Sequence, residues 1–236
     1  MPLTAIILTR DQHVFSQLVD VLQATQLKVE GSLSPGETLV KLQKGRFDAV
    51  FIDCGSVPDA TDILEALRSG KSNRRAIAFA VTEDPHDSQR AFTAGANFVI
   101  EKPLSAERIV RALRAAHGLI VRERRRYFRL PLDSMVTIEA MGKESSRWNI
   151  IDVSERGLGA IVPDGQQIPR GSVKIKFRIP QVVEAIEGKA LVVWDRTGKV
   201  GLEFTTLQPN SRTELDKWIA RRFDENERRL ASAARR

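Results

Sequence analysis

Val121-Arg122-Glu123-Arg124-Arg125-Arg126-Tyr127-Phe128-Arg129-Leu130 is the stretch across which the chain changes its hydrophobic period. Upstream, short apolar runs alternate with helical spacing. Ala5–Leu8 is a compact run, followed by Val14, Leu18, Val21 and Leu22 one helical turn apart. Lys28–Leu33 alternates like a strand, and Leu39 and Leu42 mark a short helix broken at Gly45. Ala49–Ile52 reads as a buried strand ending at Asp53, then Ile63, Leu64 and Leu67 give a helix ended by Gly70. Ala76–Val81, a helix over Ser88–Ala94 and the strand Asn97–Ile100 follow. Ser105 caps a last helix, with Glu107 in its first turn. Five strand-then-helix units predict a doubly wound parallel sheet covered on both faces, over residues 1–121.

Downstream the period is that of strands. Val136–Ala140, Trp148–Val153, Leu158–Val162, Val173–Ile179, Ala185–Trp194 and Val200–Phe204 are separated by turn residues. These turns fall at Gly142, Gly157, Asp164-Gly165, Pro169-Arg170-Gly171 and Thr197-Gly198. The pattern predicts a small six-stranded antiparallel barrel over 131–236. Ser211 is expected to cap a closing helix that carries Leu215, Trp218, Ile219 and Phe223 on one face. The fold class is therefore α/β plus β, with 122–130 as an Arg-rich linker.

Composition narrows the function. The 236 residues suffice for two cores. No apolar run reaches the roughly 18–20 residues of a membrane span. The first residues lack a basic, then apolar, leader pattern, so the expected location is cytoplasmic. With Cys54 the single cysteine and His13, His86 and His117 scattered, neither a disulfide nor a metal site is expected. The net charge of +7 favours anionic partners. It concentrates in Arg122–Arg129 and in the tail, where Arg228, Arg229, Arg235 and Arg236 read as a solvated helix end. No nucleophile–base pairing, metal cluster or Gly-rich phosphate loop points to an enzyme. No catalytic residue is assigned.

The first half resembles the response-regulator receiver domain. The resemblance rests on Phe47–Asp53, Val81-Thr82 and Ala94–Leu104, the Lys102-Pro103 pair above all. It implies that Asp53 is the phosphoacceptor, with Thr82 and Lys102 as helpers, and that this half docks or dimerises. Phosphorylation there requires Mg²⁺ held by an acidic pair after the first strand. Thr9 and Arg10 stand in that place, and Asp11 comes one position late. Either Asp53 is phosphorylated with Asp11 as a lone metal ligand, or the receiver is degenerate and Asp53 and Lys102 are a structural ion pair. The missing carboxylates favour the second.

The second half couples two motifs in order. Arg125 and Arg129 form Arg-x-x-x-Arg, and Asp152-Val153-Ser154-Glu155-Arg156-Gly157 forms Asp-x-Ser-x-x-Gly. Guanidinium groups fork onto phosphate oxygens and the guanine edge, a carboxylate accepts from guanine N–H groups, and a glycine admits a positive φ and close backbone approach. With Gly159, Gly188–Trp194 and Gly201–Phe204, these residues resemble the PilZ domain, a bacterial cyclic di-GMP receptor. That resemblance implies ligand contacts from Arg125, Arg129, Asp152, Ser154, Gly157 and Gly159. Arg124 and Arg126 are expected to help, and Trp194 to line the wall. Taken singly, each motif also reads as a solvated helix end or an ordinary turn.

The expected function is thus a bacterial second-messenger receptor, with cyclic di-GMP as ligand and no cofactor. It signals to a protein partner by rearrangement about the 122–130 segment. The alternatives are a phosphorylation-dependent regulator acting at Asp53, a polyanion- or nucleic-acid-binding regulator, and an inert scaffold. No helix-turn-helix or aromatic strip supports nucleic acid.

Overall fold

The computed structural model describes residues 3–70, 72–141 and 144–233, with side chains omitted for 230–233. The expected turn at Gly142 and the tail residues Arg235 and Arg236 lie outside the described residues. Contacts divide the chain into two compact units, 1–124 and 125–236.

The first unit is a parallel sheet of β1 (Thr4–Leu8), β2 (Lys28–Ser32), β3 (Ala49–Asp53), β4 (Ile77–Thr82) and β5 (Phe98–Glu101). Their spatial order is β2-β1-β3-β4-β5. It is wound with α1 (Gln12–Ala24), α2 (Pro35–Lys44), α3 (Ala60–Ser69), α4 (Pro85–Thr93) and α5 (Ala106–Arg125). β3 and β4 are buried along their whole length because helices cover both faces. Alternate residues feed two separate cores. Ala5, Ile7, Phe51 and Phe79 pack with Leu18, Leu22, Ile109 and Leu113 of α1 and α5. Ile6, Leu8, Ile52 and Ala80 pack with Leu42, Leu64 and Ala91 of α2, α3 and α4. In a sheet of this order the crevice lies beyond the carboxyl ends of β1 and β3, where the winding direction reverses. Asp53 and Thr9 are placed there.

The second unit is a closed barrel. It contains β7 (Met135–Ala140), β8 (Ser146–Ser154), β9 (Gly157–Ile161), β10 (Ser172–Phe177), β11 (Ile186–Arg196) and β12 (Lys199–Leu207). The ring runs β8-β7-β10-β11-β12-β9 and closes by pairing of β8 with β9. β10 shows why the strands form, since Val173, Ile175 and Phe177 are buried and the residues between them are exposed. The helix α6 (Pro209–Ala233) buries Leu215, Trp218 and Ile219 in the barrel core.

The structure corrects one expectation here. Ser211 lies inside α6 rather than at its cap, because the helix already starts at Pro209. Its hydroxyl instead accepts from Glu187 N at 3.0 Å, which pins α6 to the start of β11.

An additional strand, β6 (Leu130–Pro131), pairs antiparallel with β8, with Leu130 opposite Val153 and Pro131 opposite Asp152. A proline is tolerated because β6 is a two-residue edge strand with little ladder to complete.

Candidate functional site

Two features of β8 build the barrel site. The first is a register shift between Ile150 and Asp152 in the pairing with β9. Trp148 and Ile150 point into the core. An uninterrupted strand would send Asp152, two places on, to the same side. The bulge at Ile151 reverses the parity, so that Val153 is buried instead and Asp152 faces outward. The second feature is β6. Its two residues tether the arginine segment along β8, so Arg129 arrives beside Asp152.

The contact is specific. Arg129 donates to Asp152 Oδ1 from Nε at 3.0 Å and from Nη2 at 2.6 Å. The backbone N–H of Gly159 donates to the same oxygen at 3.2 Å. A Cβ on Gly159 would stand 2.8 Å from that oxygen and 3.6 Å from Arg129 Nη2, so the glycine leaves room for the pair. Arg125, at the end of α5, donates from Nε to Glu155 Oε1 at 2.5 Å. Between the two arginines the chain turns, with Phe128 N donating to Arg125 O at 3.1 Å. Phe128 meets Phe223 of α6 edge-on, ring centroids 5.0 Å apart, which anchors the segment on the barrel unit. The structure therefore brings Arg129, Asp152 and Gly159 together, and sets Arg125 against Glu155 of the turn that follows β8.

Other expected site residues are placed differently. Ser154 is buried, and its hydroxyl donates to Gly157 O at 3.1 Å, so it locks the turn. Gly157 is not among the positive-φ glycines, which is a correction. It opens β9 opposite Glu203 of β12, and a Cβ there would overlap the carbonyl oxygen of Leu202. Close strand approach, not a left-handed turn, requires it. Trp194 is 42% exposed on β11, and its indole fills the space that a Cβ on Gly201 would need. Arg124 and Arg126 flank Arg125 with half-buried side chains. Sequence reading missed Glu155, Arg212 and β6. The apolar parity break between Ile150 and Val153 was the available signal for the bulge.

The receiver-like unit holds a closed polar network. Asp53 is buried, its Oδ2 accepting from Thr9 Oγ1 at 2.8 Å. Its Oδ1 accepts from Gly55 N at 3.2 Å and stands 3.1 Å from Lys102 Nζ. Thr82 Oγ1 bonds Ser88 Oγ at 2.9 Å. Two carboxylates lie nearby: Glu83 Oε1 stands 3.4 Å from Lys102 Nζ, and Asp11 caps α1 through bonds from His13 N at 2.8 Å and Val14 N at 3.2 Å. Those backbone N–H groups hold its pKa below the ordinary aspartate value. Mg²⁺ needs several oxygen ligands, and here a threonine and an arginine occupy the acid-pair positions while Asp53 already has partners on both oxygens. The residues do not fit the ion.

Cys54 adjoins this network. Burial first, then the Asp53 charge, pushes its thiol up to about 11 from 9.0. The thiolate is the reactive species, so at pH 8 its fraction falls about 100-fold against an ordinary cysteine. Iodoacetamide is expected to label Cys54 at least that much more slowly in the folded chain than in urea. Equal rates in both states would refute the buried setting.

Residues 123–221 match the family model of the PilZ domain. No curated protein matches the chain. Among solved structures, the chemotaxis response regulator CheY4 of Vibrio cholerae is 21% identical. The alignment covers 49% of this chain and 98% of that one, with a TM-score of 0.46. A CheY-like receiver domain from Methanospirillum hungatei is 20% identical over 52% of this chain and 99% of that one, TM-score 0.47. The Bacillus subtilis inhibitor of motility is 22% identical over 42% and 50% of the two chains, TM-score 0.36. The barrel unit is a PilZ domain, and it follows a unit with the receiver-like fold. Among the described residues no helix is long and apolar enough to cross a membrane.

Proposed function

We propose that this chain is a cyclic di-GMP receptor whose site lies on the rim of the barrel formed by Arg125, Arg129, Asp152 and Gly159. The observation that carries the reading is the meeting of the two motifs. Arg129 and Asp152, 23 residues apart, share two hydrogen bonds on an accessible rim. Each guanidinium there is held by a carboxylate, the geometry in which a phosphate oxygen replaces a carboxylate oxygen without moving the fork. Asp152 then turns to the guanine N–H groups. Gly159 keeps the approach open, Ser154 and Gly157 hold the turn, and Trp194, Arg124 and Arg126 bound the ligand. Ligand binding reorders residues 125–129, and a protein partner reads that change. The family consists of cyclic di-GMP receptors, and this supports the choice of ligand.

The closed network around Asp53 supports a degenerate receiver, in which Asp53 and Lys102 stabilise the sheet end and no phosphoryl group is the input. Cyclic di-GMP titrated into the full chain by calorimetry at about 0.15 M salt is expected to give a saturable heat. Heparin or random DNA is expected to leave that heat unchanged, because forked recognition of guanine and phosphate is not a general polyanion effect. Absence of heat overturns the reading.

A further inference from the structure

The turn between β8 and β9 is held at every polar position. Ser154 bonds Gly157 O, and Arg156 is tied through its side chain to Glu203 and through its carbonyl to Phe204 N at 2.8 Å. Arg212 of α6 donates to the carbonyl of Glu155 and stands 3.4 Å from Asp216. Between these fixed points projects the side chain of Glu155, which is only 14% exposed and reaches Arg125 Nε. Arg125 is the first arginine of the Arg-x-x-x-Arg pair and is 31% exposed.

Glu155 occupies one of the open positions of Asp-x-Ser-x-x-Gly, so the motif does not demand a carboxylate there. Its placement has a consequence for any anionic ligand. A guanidinium Nε–H that is engaged by a carboxylate is not available to a phosphate. Because the turn is braced from α6, Glu155 has little freedom to follow Arg125 outward.

We infer that Glu155 is an affinity-setting residue: it competes from within the chain with the ligand phosphate for Arg125, and so holds the site partly closed. The inference rests on the reading of this rim as the cyclic di-GMP site. When only a fraction of molecules has Arg125 released, the apparent dissociation constant is the intrinsic one divided by that fraction. A partly buried, charge-assisted pair leaves roughly one molecule in ten open. Glu155→Gln removes the charge and keeps the shape, and is expected to tighten binding about tenfold. The gain falls on the association rate, since the ligand no longer waits for the pair to open. The dissociation rate stays the same.

The test measures cyclic di-GMP binding to the full chain by calorimetry and stopped-flow fluorescence, for wild type and Glu155→Gln. Tighter binding through faster association supports the inference, as does binding by the variant alone. Wild-type binding with a variant that binds equally or more weakly overturns it and leaves the receptor reading standing. No binding by either overturns both. Glu155→Asp draws the carboxylate back from Arg125 by one methylene, and serves if the glutamine variant does not fold. Faster association is expected for it too, and a wild-type rate overturns the inference. In an Arg125→Lys background, which removes the Nε–H that Glu155 holds, Glu155→Gln is expected to change the association rate by much less than tenfold. A full tenfold change there also overturns it.

Discussion

Arg129→Ala is expected to weaken cyclic di-GMP binding by at least about 100-fold. Arg129 offers two N–H groups in a fixed fork, both now on Asp152 Oδ1. A hydrogen bond to a charged group contributes about 1.5–3 kcal/mol, so two of them put the loss near 3 kcal/mol or above. At about 1.4 kcal/mol per tenfold, that is two orders of magnitude in affinity. Arg129→Lys keeps the charge and loses the fork, so it is expected to lie between wild type and alanine. Stability separates a binding loss from an unfolded barrel. The Arg129 side chain is 43% exposed and that of Asp152 28%, and solvent-screened pairs of this kind contribute no more than about 1 kcal/mol. The barrel of the alanine variant therefore melts close to wild type. Calorimetric affinities within about threefold of wild type would remove Arg129 from the site.

Gly157→Ala has the largest expected effect on stability. Its Cβ would overlap the carbonyl oxygen of Leu202, and next to it lies Glu203 Cα at 3.2 Å. Both belong to backbone in a paired strand, which cannot swing aside like the end of a flexible side chain. The seam that must part is β9 against β12, where Leu158 faces Leu202 and Gly157 faces Glu203. Overpacking of this kind costs about 1–3 kcal/mol, and a disrupted ladder adds to it. A cost of about 3 kcal/mol lowers the melting temperature of a barrel this size by roughly 10–20 °C. All three tryptophans, Trp148, Trp194 and Trp218, lie in the barrel unit, so tryptophan fluorescence follows that unit alone. An unshifted fluorescence melt would show that the strands at Gly157 separate freely.

These predictions also show where the sequence was readable. The motif residues are local strings, and the amide and guanidinium chemistry that suits them to an anionic nucleotide is a property of residue type. The five strand–helix units and the six barrel strands are periodic, so they appear without any knowledge of contacts. Ser211 shows the limit of such local rules. A serine before an apolar helical face looks like a cap, yet Pro209 had already begun the helix, and the hydroxyl served β11 instead. Gly157 shows the same limit. A glycine after a turn suggests a left-handed φ, but the reason for it is a carbonyl on a strand more than 40 residues away.

The sequence by itself determined the two-part architecture, the identity of the arginine and aspartate motifs, and the loss of the acid pair in the receiver-like half. Only the tertiary structure decided how these residues meet. The bulge at Ile151 turns Asp152 outward, β6 carries Arg129 to it, and Glu155 closes on Arg125 across 30 residues of chain. The physical reason is register. A one-residue slip in strand pairing moves a side chain to the opposite face, and that pairing is settled by packing of the whole barrel. The stretch Val121–Leu130 therefore marks the change of fold in its sequence, while its partners in the candidate site come from strands far along the chain.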